Sequence, residues 1–110
     1  MVEFLDFYPT LASYFELKGI PEYLEGKSFE NILKNPDASF RDHVNIIVRR
    51  NGFIGRSVKT REWRYTEWDD GNKGTELYDQ LNDPLEYNNL SGQEGYDSIK
   101  KQMQKLIIKP

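Results

Sequence analysis

Two extended runs, His43–Arg50 and Phe53–Thr60, are joined by Asn51-Gly52, and no other pair of residues constrains this chain as strongly. Both residues accept positive φ, which a two-residue hairpin turn requires, so the runs are predicted to be adjacent antiparallel strands. Glu62–Trp68 alternates, with Trp63 and Tyr65 on one face and Arg64 and Thr66 on the other, and predicts a third strand. Asp69–Gly74 reads as a polar, Gly-containing loop. Glu76–Asp79 fits a short fourth strand, and Asn82-Asp83-Pro84 then turns the chain away. Further on, Tyr96, Ile99, Met103 and Leu106 share one helical face with Ile107 beside them, and Ser91 and Glu94 have capping-box spacing for the start of that helix.

The leading segment carries a different pattern. Phe4, Tyr8, Leu11 and Phe15 recur as one face of a helix. Asp6 is its expected N-cap, Pro9 is tolerated in the first turn, and Gly19 and Pro21 are the expected terminators. Val2, Leu5, Phe7, Ala12 and Tyr14 point away from the first stripe, so this helix is apolar nearly all round. Such helices are normally buried on every side, and 110 residues rarely surround their own N-terminal helix. A partner outside the chain is expected, or else self-association through Val2, Leu5, Phe7 and Tyr14. Ser28 can cap a short helix through about Leu33, with Phe29, Ile32 and Leu33 facing inward. The predicted fold class is therefore α+β: an antiparallel sheet of three to four strands with a C-terminal helix laid across one face, preceded by an N-terminal helix.

Composition narrows the function. Six Phe, seven Tyr and two Trp can fill a real core, and a net charge of −3 disfavours nucleic acid, which selects a concentrated basic face. With no Cys there is no thiolate nucleophile, disulfide or Cys-held zinc. No apolar run approaches the roughly 18 residues of a membrane span. Glu3 and Asp6 interrupt any signal-like N-terminus, so the export signal of an exported parent would lie upstream.

The candidate sites are few. The single His, His43, opens a predicted strand beside Arg41 and Asp42; it is either an edge residue or part of a substrate cleft in a larger protein. Arg49 and Arg50 flank the hairpin turn, where they protect the strand edge or grip an anion such as sulfate or carboxylate through paired guanidinium donors. Arg61, Arg64, Trp63, Tyr65 and Trp68 form either core and surface or an aromatic, cationic sugar-binding face. Asp69, Asp70 and Asn72 invite a calcium-loop reading, but the twelfth position from Asp70, where an EF-hand needs Glu, is Leu81. Asn89-Leu90-Ser91 fits a glycosylation sequon. No nucleophile, base and orienting group emerge as a catalytic set.

Three groups of residues, in this order, resemble the C-terminal end of type I, formylglycine-dependent sulfatases, and most of all bacterial enzymes similar to iduronate-2-sulfatase. Asp6-Phe7-Tyr8-Pro9-Thr10-Leu11, Gly19-Ile20-Pro21 and Leu24-Glu25-Gly26-Lys27-Ser28-Phe29 look like a helix and exit loop behind the catalytic sheet. Gly55–Thr60 with Arg64–Trp68 looks like the C-terminal hairpin; Glu76–Asp79, Asn82–Glu86 and Asn89-Leu90 look like the last strand and turn. The resemblance implies that residues 1–110 are a C-terminal subdomain whose main partner is the parent's own N-terminal catalytic domain. The parent would be periplasmic or secreted, and would hydrolyse sulfate esters, chiefly of sulfated sugars. Its formylglycine, from a Cys/Ser-x-Pro/Ala-x-Arg motif, and its calcium would both lie upstream, leaving no cofactor and no catalytic or metal-binding residue in this chain. Alone, the chain is not expected to be active. Arg49, Arg50 and His43 are the residues expected to border the cleft. An independent carbohydrate- or protein-binding module, stacking ligands on Trp63, Tyr65 and Trp68, is the alternative.

Overall fold

The computed structural model describes residues 1–109, which divide into two compact units, Met1–Asp42 and the remainder from His43. In the first unit a 3-10 turn, Phe4–Asp6, runs into helix α1 (Phe7–Tyr14), and a short helix α2 (Glu30–Lys34) follows a long loop. Asp6 occupies the N-cap position of α1 as expected, but its side chain makes no capping bond there. It stands at the third position of the preceding turn, where Glu3 N–H donates to its Oδ2 at 2.8 Å. The same fully buried carboxylate accepts Lys27 N–H at 2.8 Å and a two-pronged bond from Arg41, Nε to Oδ2 at 2.9 Å and Nη2 to Oδ1. One turn on, Thr10 Oγ1 donates to Asp6 O at 2.6 Å and accepts Phe29 N–H at 2.9 Å. These bonds strap the loop 26–29 onto the helix start. Gly26 makes the approach feasible, because a Cβ there would sit 1.9 Å from Leu5 O.

The helix ends sooner than its composition suggests. Glu16, at φ +52°, takes the left-handed place; its N–H bonds Ser13 O at 3.2 Å while Leu17 N–H reaches Ala12 O at 2.9 Å, the paired bonds of a Schellman cap. Gly19, the expected terminator, also has positive φ but lies beyond the helix. Within the unit Phe29 meets both Phe7 (ring centroids 5.4 Å apart) and Phe40 (6.2 Å) edge to face. Ile32 is half-buried, whereas Leu33, expected to face inward, is exposed.

The second unit is an antiparallel meander, β1 (His43–Arg50), β2 (Phe53–Thr60), β3 (Trp63–Trp68) and β4 (Thr75–Asp79), in spatial order β1-β2-β3-β4, closed by helix α3 (Asp97–Gln104). The turn between β1 and β2 is Asn51 (φ +49°) and Gly52 (φ +87°), with Arg50 paired to Phe53. That register carries Val58 beside Tyr65 and Tyr65 beside Leu77. These three side chains, with Met103 and Ile107, form the buried core, flanked by Trp63, Leu90, Tyr96, Ile99 and Leu106. The helical face read from the sequence is the one that packs. Its start differs: α3 begins only at Asp97, and Ser91 Oγ donates instead to Thr75 O at 2.7 Å.

Two polar devices complete this unit. Buried Glu67 accepts Gln104 Nε2 at 2.6 Å and pairs with Lys109 Nζ at 3.1 Å, fastening the C-terminal segment to β3. Burial opposes its charge, yet these donors keep its pKa below the ordinary carboxylate range. Burial, with the neighbouring Glu67 charge, pushes the Tyr65 phenol up to about 12. Along the free edge of β4, Leu77 N–H donates to Asn89 Oδ1 (3.0 Å) and Leu90 N–H to Leu77 O (2.8 Å), so the Asn89-Leu90 segment shields an edge that would otherwise be open. The amide of the sequon Asn89 is thus engaged. Among the described residues no helix is long and apolar enough to cross a membrane.

Two measurements test this account. Burial alone would raise the Asp6 pKa, but the Arg41 fork and the Lys27 and Glu3 amides lower it to about 2 from an ordinary 3.8. A depressed folded-state value stabilises the fold fully above pH about 4 and loses that contribution as the pH falls toward 2, about 2 kcal/mol in all. The melting temperature of the wild type should fall over that window. Asp6→Asn should start lower at neutral pH and fall less steeply. Glu16→Gly should relieve left-handed strain and raise stability by about 0.5–1 kcal/mol in urea unfolding.

Candidate functional site

A two-residue hairpin puts Arg49 and Arg50 at one end of β1, and alternation puts their side chains on opposite faces of the sheet. Arg49 pairs with Ile54 and Arg50 with Phe53. His43 pairs with Thr60 at the other end of the strand, about 20 Å away along an extended chain. The structure therefore does not gather the three residues singled out from the sequence. It places Arg49 and Arg50 on either side of one hairpin tip and leaves His43 remote from both.

Each arginine lines its own recess. On one face Arg49, Phe53, Ile54, Arg56, Asp69 and Asp70 border a shallow hollow of about 170 Å³. Its charge is balanced: Arg56 Nη1 donates to Asp70 Oδ1 at 2.7 Å, and Asp69 adds a second carboxylate. Asp69 and Asp70 both have φ +52°, the left-handed turn that folds the start of the β3–β4 connection back. This is the role of the suspected calcium loop. Among the described residues no group of three His, Cys, Asp or Glu could hold a metal ion, and the chain has no Cys.

On the other face Arg50, Asn51, Phe53, Trp68, Lys73 and Glu76 surround a larger open recess of about 330 Å³. Trp68 is fixed from three sides. Its six-membered ring lies over Gly55, where a Cβ would fall 2.4 Å from Cζ3 and 2.6 Å from Cε3. Phe53 meets it edge to face at 5.9 Å, and Nε1–H donates to Glu76 Oε1 at 2.8 Å. Arg50 comes from the end of β1 and Lys73 from the loop before β4, and among the described residues neither enters an ion pair.

The aromatic sugar-binding face considered from the sequence does not form. Trp63 and Tyr65 belong to the face covered by α3; Tyr65 is core, and Trp63 packs edge to face on Tyr96 at 6.0 Å. Trp68, an odd number of residues from both, projects from the opposite face. Arg64 is taken up by Glu86 (2.7 Å) and Ser57 (3.3 Å). Parity along β3 was the available signal for this separation, and Gly55 was the available signal for a ring lying on β2. The contribution of Lys73 had no local signal, because the fold of a six-residue loop delivers it.

Comparison with known proteins gives a consistent picture. A family model described as N-sulphoglucosamine sulphohydrolase, C-terminal, matches residues 1–109. An ulvan-active sulfatase of Formosa agariphila is 25% identical over 105 residues, covering 89% of this chain and 20% of that protein. A solved structure from Bacteroides thetaiotaomicron VPI-5482, described as a candidate sulfatase, superposes with a TM-score of 0.80 at 27% identity over 92% of this chain and 22% of its own. A 2-O GAG sulfatase structure gives 0.78 at 27% identity with the same coverages. The chain thus spans about a fifth of the length of these relatives.

Gly55→Ala should displace the Trp68 ring. We expect a loss of about 1–3 kcal/mol in urea unfolding and a shifted Trp68 indole N–H resonance. Gly92→Ala, whose added methyl meets nothing within 4 Å, should change neither.

Proposed function

This chain belongs to the N-sulphoglucosamine sulphohydrolase C-terminal family, and from that membership we propose that it is the supporting, cleft-bordering C-terminal part of an enzyme that hydrolyses sulfate esters of sugars. The observation that carries this reading is the exposure of α1 and its flanks. Phe4 is 88% exposed and Phe15 64%, and Leu5, Tyr8, Leu11, Tyr14 and Leu17 are each more than half exposed. Of the two apolar stripes only Ala12 is buried, beside Asp6 and Thr10. A helix that turns Thr10 and Ala12 inward and its aromatic side outward is built to lie against a surface supplied from elsewhere. Strand β1 repeats the pattern, with Ile46, Ile47 and Val48 all exposed. In this reading the covering surface is the catalytic part that precedes such a domain, which also supplies the formylglycine and calcium.

The ulvan and GAG substrates of the relatives, together with the likeness to iduronate-2-sulfatase-type enzymes, support sulfated sugars as the substrate class. The hairpin tip is the proposed border of the cleft, with Arg49 and Arg50 as the groups that meet anionic substrate. His43, far along β1, would belong to a separate contact.

The test compares the isolated chain with a polypeptide in which the upstream reading frame is retained. Sulfate release from a chromogenic sulfate ester and from sulfated polysaccharide should appear only in the longer protein, which should carry a Cys/Ser-x-Pro/Ala-x-Arg motif. Hydrolysis by the isolated chain, or an upstream frame without that motif, would sink the proposal. Phe4→Ser with Phe15→Ser should reduce self-association of the isolated chain and lower the melting temperature of the longer one.

A further inference from the structure

The geometry points to the Arg50 recess as a subsite for an anionic sugar residue, one bearing a sulfate or a carboxylate, adjacent to the residue that loses its sulfate. This inference rests on the cleft-bordering reading above and goes further by choosing one face of the hairpin and naming what it binds.

Four features of the recess carry it. The first is an aromatic platform that cannot swing away, since Trp68 is held by Gly55 beneath, Phe53 at its edge and Glu76 at its N–H. A fixed indole with one open side suits the apolar face of a pyranose, because little side-chain freedom remains to be lost on binding. The second is charge. Two cations, Arg50 and Lys73, face one carboxylate, Glu76, an oxygen of which is already occupied by Trp68. The recess therefore has positive charge to spare, in a chain whose net charge is −3. Guanidinium and ammonium groups arriving from separate elements can hold a sulfate or carboxylate between them.

The third feature is size: about 330 Å³ lies at the lower end of the roughly 300–1,000 Å³ of small-ligand sites, room for a single sugar ring rather than an extended chain. The fourth is the contrast across the hairpin. The Arg49 hollow has half the volume and a balanced charge, with Arg56 bound to Asp70 and Asp69 as a second carboxylate on its border. Adjacent arginines thus face unlike surroundings, and only the Arg50 side combines a ring platform with unneutralised charge.

Two measurements separate this inference from the sulfatase reading. In the first, the 110-residue chain is titrated with a sulfated heparin disaccharide and with its desulfated, carboxyl-reduced counterpart, following the Trp68 indole N–H and Gly55 amide resonances. The sulfated sugar should shift both saturably; the neutral one should not. Arg50→Ala and Lys73→Ala should each weaken binding about 5- to 10-fold, whereas Arg61→Ala, exposed in the β2–β3 turn, should leave it unchanged. Equal shifts with the neutral sugar, no shift with either, or indifference to Arg50→Ala and Lys73→Ala would each overturn the subsite.

In the second, the longer, active polypeptide is assayed with the same variants. KM for a sulfated oligosaccharide should rise about 5- to 10-fold with kcat preserved, a larger change than for a small aryl sulfate, which offers the recess no second sugar. Equal loss on both substrates would show a structural role and remove the subsite. If the longer polypeptide proves inactive while the disaccharide still binds as described, the sulfatase reading falls and the anionic-sugar site stands.

Discussion

The register of one hairpin determines most of what the second unit displays. Asn51-Gly52 closes the turn with two residues in left-handed conformation, which pairs Arg50 with Phe53 and His43 with Thr60. Because side chains alternate, a slip of one residue would turn Val58 out of the core and bring Ser57 in. The same parity parts Arg49 from Arg50, and Trp63 and Tyr65 from Trp68. Core, recess and hollow are therefore consequences of a single turn, propagated across β3 and β4 by ladder pairing.

The first unit is organised around a charge. Asp6 has no access to solvent, and a buried carboxylate is costly unless its oxygens are occupied. Arg41, Lys27 and Glu3 supply the donors, and they come from 35, 21 and 3 residues away in sequence. Closing these bonds fixes the path of the loop between α1 and α2 and turns Thr10 and Ala12 of α1 inward, leaving its large apolar side chains facing out. An arrangement that would be faulty in an isolated globule is consistent for an element meant to be covered.

Most of the elements were legible in the residues. Both ends of β1 and β2 coincide with the runs flanking Asn51-Gly52, and the face of α3 that packs is the one its spacing predicts. What was misread shares a cause. Asp6 and Ser91 were judged by local motif (a cap, a capping box), yet their side chains bond to partners distant in sequence: Arg41 and Thr75. Likewise Gly19 has the conformation expected of a terminator, but Glu16 accepts the left-handed position first.

Chain composition and order by themselves determined the fold class, the hairpin, the resemblance to sulfatase C-terminal domains and the excess of apolar surface on the leading helix. These depend on local stereochemistry and on spacing, both of which are written along the chain. Only the tertiary structure decided which side of that helix is inward, that Trp68 rests on Gly55, and that Lys73 joins Arg50 around one recess while Asp70 neutralises Arg56 on the other. Those outcomes turn on hydrogen bonds, ring packing and charge between residues brought together by folding, and spacing along the chain does not encode them.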